Sequence, residues 1–236
     1  MRQFIRDIDV LFCMNTRHRF TLAAGFVVLS GLVSLVTASD LPARVVSNWN
    51  ASGDPNGTMS KTLVLWLFPA LTGGLLVLFA LLPRIDPLGE NIAEFRSYYD
   101  WFVVIFAGYM FILHAGIIAF NLGYEFDFTA LVLVAAAGLL YYSGVLVTHA
   151  EPNWFVGIRT PWTLSSEEVW EQTHELGGRL FKTTALLTLV GLLFGEYAIY
   201  FLVVPALVTA VTTVVYSYLL YERLDRRTKP PPDSGV

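Results

Sequence analysis

Cysteine is almost absent. Cys13 stands alone in 236 residues, which excludes an internal disulfide and a cluster of metal-bound thiolates. Beside the first apolar run it reads as an apolar contact, with lipidation as the other use of a cysteine there. Charge is scarce too: Asp, Glu, Lys and Arg make up 14% of the chain, against about 25% in soluble domains, too little to cover a soluble globule of this length. A net charge of −4 without a dense basic stretch argues against direct nucleic-acid binding. The order of residues contains no nucleophile–base pair, no phosphate-cradling glycine loop and no carboxylate dyad, so neither enzymatic activity nor a cofactor is expected. No internal repeat supports a transporter built from inverted halves. Nor does a cleavable signal peptide stand out, because the run that starts at Phe20 is long enough to span and further runs follow it.

What the chain has is apolar length, at 55% hydrophobic residues. Crossing roughly 30 Å of hydrocarbon takes about 20 apolar residues in a helix. Phe20–Ala38, Thr62–Pro83, Trp101–Leu122 and Phe128–Thr148 each satisfy that. The remaining stretch, Thr183–Tyr221, is broken once, at Gly195-Glu196. As one helix it would measure about 58 Å, nearly twice the membrane, so it reads as two helices around a tight turn, with Lys182 snorkelling at the start. Six transmembrane helices in an all-α, polytopic fold are therefore expected. With the amino terminus inside, thirteen lysines and arginines fall on the cytoplasmic side and only Arg44 and Lys61 on the other, which places both termini in the cytoplasm. The chain then divides into a cytoplasmic segment 1–19, a first hairpin of spans 20–82 with an outer loop 39–61, and a loop with spans three and four, 83–148. A cytoplasmic segment 149–182, spans five and six at 183–221 and a disordered tail 222–236 complete it.

Two loops are too specific to be spacers. The outer loop carries Val45, Val46 and Trp49 as apolar anchors, then Asn50-Ala-Ser-Gly53-Asp54-Pro55-Asn56-Gly57. Asp-Pro-Asn-Gly has the chemistry of a turn, so a compact cap on the outer face is expected. The loop also holds the sequons Asn50-Ala-Ser52 and Asn56-Gly-Thr58. The cytoplasmic segment reads Asn153-Trp-Phe-Val-Gly157-Ile-Arg159-Thr160-Pro161-Trp162-Thr163, followed by Ser165, Glu168, Trp170, Thr173, His174 and Gly177-Gly178. Ser165 and Glu168 have the spacing of a capping box, and Val169, Trp170, Thr173, Leu176 and Gly177 share one helical face. Gly177-Gly178 would end that helix. The expectation is a short amphipathic helix on the bilayer surface, tethered by Trp154, Trp162 and Trp170.

These two loops carry a resemblance. Leu41-Pro42, Trp49-Asn50, Gly53 to Gly57 and Ser60-Lys61 resemble the first loop of a widespread membrane domain of unknown function, and the segment from Asn153 to Gly178 resembles the signature of the SdpI family. That resemblance implies an immunity protein protecting its host from a secreted, membrane-active peptide, which also holds a small cytoplasmic repressor at the membrane. The expected partners are thus the lipid bilayer, a peptide toxin and a repressor, with Asn50, Gly53, Lys61, Asn153, Gly157, Arg159, Thr160, Pro161, Trp162, Trp170 and His174 as binding or signature positions. In one departure, the resemblance expects a histidine before the aromatic residue of the first loop, and Asn48 stands there. A small-solute transporter or lipid-interacting protein is the alternative, and an intramembrane enzyme a more distant third.

Individual residues keep two readings each. The Arg159 guanidinium suits an acidic headgroup or partner carboxylate, or a clamp pinning the loop to Glu167 or Glu168. His174, three residues after Glu171, has the spacing of a metal pair but only His149 and Glu151 near it in sequence, so a solvated or capping histidine is favoured over a ligand. His114, the only ionisable residue recognised deep within a span, either relays protons or senses a ligand, or bonds to a neighbouring helix. Pro69, Pro205 and Gly73-Gly74 read as kinks or close helix contacts.

Overall fold

The computed structural model describes residues 15–228. Cys13 and the tail Lys229–Val236 lie outside the described residues. Six helices are long and apolar enough to cross a membrane. They belong to α1 (Thr16–Thr37), α2 (Lys61–Ile85), α4 (Arg96–Asn121), α5 (Phe128–His149), α7 (Glu167–Gly191) and α8 (Tyr200–Thr228). Two short helices, α3 (Gly89–Glu94) and α6 (Pro161–Ser165), lie in the connections. The chain passes back and forth, so the 38–60, 122–127 and 192–199 connections share one end of the bundle, called the hairpin face below. The 86–95 and 150–166 connections share the other, the signature face.

Side-chain caps start the helices where the sequence changes character. The Asn15 side chain accepts from the His18 amide, Ser60 from Leu63, Asp127 from Ala130 and Ser166 from Val169, each satisfying an amide the first turn leaves open. Helix α8 continues to Thr228, so residues 222–228, expected in the tail, are helical. The turn expected at Gly195-Glu196 is present: a 3₁₀ segment, Leu192–Tyr197, holds Gly195 at φ +57°, a conformation in which glycine carries no side-chain penalty.

The outer loop is not a purely helical element. Arg44–Trp49 (β1) and Pro55–Ser60 (β2) form an antiparallel hairpin, with Arg44 opposite Ser60 and irregular pairing between Val46 and Trp49. The reversal falls at Asn50–Asp54, ahead of the expected Asp-Pro-Asn-Gly turn, with Gly53 at φ +88°. Pro55, Asn56 and Gly57 belong to β2 instead.

Two apolar clusters make the interior. Ile92, Phe95, Tyr99, Val103 and Trp170 belong to one. Leu41, Val45, Val64, Leu65, Ile117 and Phe128 form the other, under the hairpin. Leucines and valines of the long helices, among them Val36, Val77, Leu207 and Val211, remain more than half exposed, the outward apolar surface that a hydrocarbon solvent accepts and water does not.

Helix α7 corrects the largest expectation. It runs unbroken from Glu167 to Gly191, and Gly177 and Gly178 sit within it. A Cβ on Gly178 would lie 2.0 Å from Thr148 Oγ1 and 2.8 Å from the Gly144 carbonyl, and one on Gly177 would lie 2.2 Å from Ile158 Cδ1. The glycines let α5 and the signature loop close onto α7, as small residues do between membrane helices. By contrast, a Cβ on Gly73 meets only Val27, at 3.6 Å, and one on Gly74 meets nothing within 4 Å, so this pair makes no tight approach.

Candidate functional site

The signature loop is organised from its buried side chains outward. Asn153 is fully buried and uses both ends of its amide: Oδ1 accepts from the amides of Phe155 (2.9 Å) and Val156 (2.6 Å), and Nδ2 donates to the carbonyls of Glu151 (2.8 Å) and Val156 (2.9 Å). Carboxylate Asp86 accepts from the Trp154 amide (3.0 Å) and Asn91 donates to the Pro152 carbonyl (2.7 Å), which ties the loop to the α2–α4 connection.

The loop then crosses α7 at Gly157, whose φ is +114°. The Ile158 amide donates to His174 Nε2 (3.0 Å), so that nitrogen is the acceptor, and Nδ1 carries the proton toward the Trp170 carbonyl (2.8 Å). His174 is therefore buried and bound by backbone at both nitrogens, not solvated, while Glu171 on the same helix is exposed. Trp170 stacks on the imidazole with 3.9 Å between centroids and donates from its indole to the Ala150 carbonyl (2.7 Å). It is 2% exposed, a core residue and not an interfacial tether.

Thr160 and Thr163 form the capping box of α6, with Pro161 in its first turn. The box expected at Ser165 and Glu168 is displaced: Ser166 caps α7, and Ser165 donates to the Pro161 carbonyl. Thr160 also donates to Ser217 on α8 (3.1 Å), and Trp162 packs against Tyr218 at 5.1 Å. Arg159 differs from these neighbours. It is exposed and makes no hydrogen bond or ion pair with the described residues, so the clamp to Glu167 or Glu168 is not formed. A cavity of about 710 Å³ lies beside the loop, with Glu94, Glu151 and Glu167 in its wall.

At the opposite end the hairpin is pinned by three contacts. Asn121 at the end of α4 grips Val46 by both backbone groups (2.7 and 2.9 Å). Lys61 donates to the carbonyls of Ala38 (2.7 Å) and Leu41 (2.9 Å), so its ammonium staples α1 to α2. Trp49 stacks on Phe128, 3.8 Å between centroids. Asn50 closes the turn through both amide atoms on Asp54, and a Cβ on Gly53 would approach Thr129 to 3.0 Å. Beneath the hairpin is a cavity of about 580 Å³.

Both motif segments are thus ordered, each at its own end of the bundle. Residues 149–217 match the SdpI/YfhL protein family. This segment runs from the end of α5 through the signature loop to Ser217, the Thr160 partner. Residues 25–73 match a domain of unknown function, DUF1648, which takes in the hairpin and the adjoining parts of its two flanking helices. Immunity protein SdpI of Bacillus subtilis (strain 168) is 25% identical over 200 residues, covering 84% of this chain and 94% of that protein. No solved structure matches the chain. The SdpI resemblance read from the two loops holds, and with six apolar helices the chain is a multi-pass protein of the cell membrane.

Among the buried polar groups of the spanning helices, His114 and Asp100 each centre a cluster. His114 is fully buried; its Nε2 is 3.3 Å from Ser34 Oγ, Ser34 donates to the Leu65 carbonyl (2.6 Å), and Phe68 stacks on the ring. It thereby joins α1, α2 and α4 and does not line the hairpin cavity. The second is Asp100, also fully buried, with Arg96 Nε at 2.7 Å and Arg19 Nη1 at 4.0 Å. His114 is therefore not the only ionisable residue within a span. The signal was available, since Arg96 and Asp100 have the i,i+4 spacing of a helical ion pair, but Asp100 precedes the first residue counted into the third apolar run. Among the described residues no group of three or more His, Cys, Asp or Glu is placed to hold a metal.

Gly157→Ala tests the loop crossing. The new Cβ would lie 2.3 Å from His174 Nε2 at a φ that L-residues avoid, a strain of about 1–3 kcal/mol. The expected outcome is a lower unfolding midpoint in detergent and faster proteolysis at residues 150–166. Unchanged cleavage there would contradict the crossing.

Proposed function

We propose that this chain is a membrane immunity protein of the SdpI type, inserted with both termini in the cytoplasm and protecting its cell from a membrane-active peptide. The observation that carries the reading is the likeness to an immunity protein along 94% of that protein's length. The thirteen-to-two distribution of lysine and arginine supports the orientation. On this reading the hairpin faces outward, where a secreted peptide arrives, and the signature loop faces the cytoplasm.

Expression in a peptide-sensitive host, challenged with the peptide encoded beside the gene and with other membrane-active peptides, tests it. Survival at concentrations that kill the parent strain is expected; equal killing sinks the immunity reading. The orientation is checked separately by cysteines placed in a Cys13→Ser background. Ser52→Cys should react with a membrane-impermeant maleimide in intact cells, and Ser165→Cys only after lysis.

A signalling role is the second reading, and Arg159 favours it. An exposed guanidinium on a loop held rigid by its other polar side chains is suited to a partner carboxylate. Arg159→Ala should leave stability within about 0.5 kcal/mol, as for exposed substitutions in general, and reduce co-purification of a small cytoplasmic repressor. Full recovery of the repressor with the variant would remove Arg159 from the contact.

A further inference from the structure

The cavity beneath the hairpin has the composition of a recognition site. We propose that it binds an uncharged, apolar segment of a peptide, with that segment's backbone amides held at the hairpin rim. The proposal rests on the immunity reading and gives it a point of contact.

A volume of about 580 Å³ falls in the range of about 300–1,000 Å³ that ligand sites occupy. The floor is apolar, built from side chains such as Phe68, Leu113 and Val132. The rim carries the amides of Asn48 and Asn56, both exposed and neither hydrogen-bonded to any described residue. The Asn50 amide, in contrast, is consumed by Asp54. On the same strand Ser47 Oγ and Trp49 Nε1 are buried without a hydrogen-bond partner among the described residues. Buried polar atoms are nearly always paired, and the two residues that carry these unpaired atoms both belong to the cavity wall. The stacking of Trp49 on Phe128 fixes the indole, so the site is preorganised.

Charge selects the occupant. No lining residue is ionisable, so a phosphate, carboxylate or ammonium entering here would give up hydration with no countercharge in return. Lipid headgroups are recognised by lysine and arginine, and none lines the cavity. The exposed amides of Asn48 and Asn56 match the paired donor and acceptor of a peptide bond, and the floor accepts the side chains between.

The test uses the full chain in a neutral detergent and a short N-acetylated, C-amidated peptide of leucine and phenylalanine with one benzoylphenylalanine. After irradiation, crosslinks should concentrate in residues 47–56, 113–117 and 128–133. Val132→Phe, which grows into the cavity, should lower labelling by about tenfold, as should Asn48→Asp, which charges the rim without touching the interior. Labelling spread along the lipid-facing helices and indifferent to both variants overturns the proposal. So does complete displacement by added phosphatidylcholine, which would make this an acyl-chain site. In the challenge assay, a protecting native chain with equally protecting variants overturns the cavity and leaves immunity standing. A native chain that does not protect removes immunity, and the crosslinking result then decides the cavity alone.

Discussion

Gly178→Leu is expected to abolish the folded protein. In detergent it should elute as aggregate instead of one symmetric species, and no cooperative unfolding transition should remain. A Cβ alone at this position would lie 2.0 Å from Thr148 Oγ1 and 2.8 Å from the Gly144 carbonyl, and one at Gly144 would lie 2.7 Å from the Gly178 carbonyl. The first contact can be relieved by turning a threonine; the second is backbone and moves only if α5 and α7 separate. Overpacking a tight interior costs about 1–3 kcal/mol when side chains can adjust, and the Gly144 carbonyl, being backbone, cannot adjust in that way. Apolar surface is no remedy, because lipid is as good a solvent for leucine as the protein interior, so close packing carries the association. Gly138→Ala on α5, where a Cβ meets nothing within 4 Å, is the control and should behave as native. A well-folded Gly178→Leu would mean that α5 and α7 do not approach through these glycines.

Asp100→Ala should lower stability by about 3–5 kcal/mol, the scale for breaking a buried ion pair by removing one partner. The carboxylate is wholly buried, 2.7 Å from Arg96 Nε, and Arg19 lies 4.0 Å away with its guanidinium over the Trp101 ring at 5.6 Å. Arg19 itself is 3% exposed and donates to the Ser97 carbonyl (3.3 Å). Removing the anion takes the Asp100 countercharge away from Arg96 and from this buried cation, in a low-dielectric setting where each ionic contact counts for more than in water. Asp100→Asn, which keeps an acceptor and loses the charge, should fall between. Denaturant titration of the purified protein measures both; an Asp100→Ala midpoint equal to the native one would reduce the cluster to a surface contact.

The six spans were legible because a bilayer imposes one length and one polarity on every helix, and the runs from Phe20 to Tyr221 obey it. The same rule explains the failure at Gly177-Gly178. In water two glycines end a helix, since exposed backbone can turn to solvent. Beside a membrane the backbone keeps its internal bonds, and glycine serves for approach. The hairpin was hidden for another reason. Pro55, Asn56 and Gly57, half of the second strand, are all residues depleted in strands, and the sheet is held from a distance by Asn121, 75 residues from Val46. Local pattern likewise could not tell that Gly157 and His174 belong together, although both were singled out. Their proximity is a tertiary contact, made where the loop folds back across the helix that carries His174. Arg159 remained ambiguous in the sequence because only geometry distinguishes an exposed cation from a clamp.

Helix α8 meets the bundle chiefly along α7 and α6, through small hydroxyl side chains such as the Thr184–Thr209 pair (3.1 Å) and through Ser217 on Thr160. At Ser217 this helix therefore reaches the signature loop one residue from the exposed Arg159 guanidinium. A displacement of α8 that parts Ser217 from Thr160 removes this tie between helix and loop, while the Thr160–Thr163 bonds of the capped turn stay within the loop. An event among the helices would thus be felt at the loop without any rearrangement of the loop's own core.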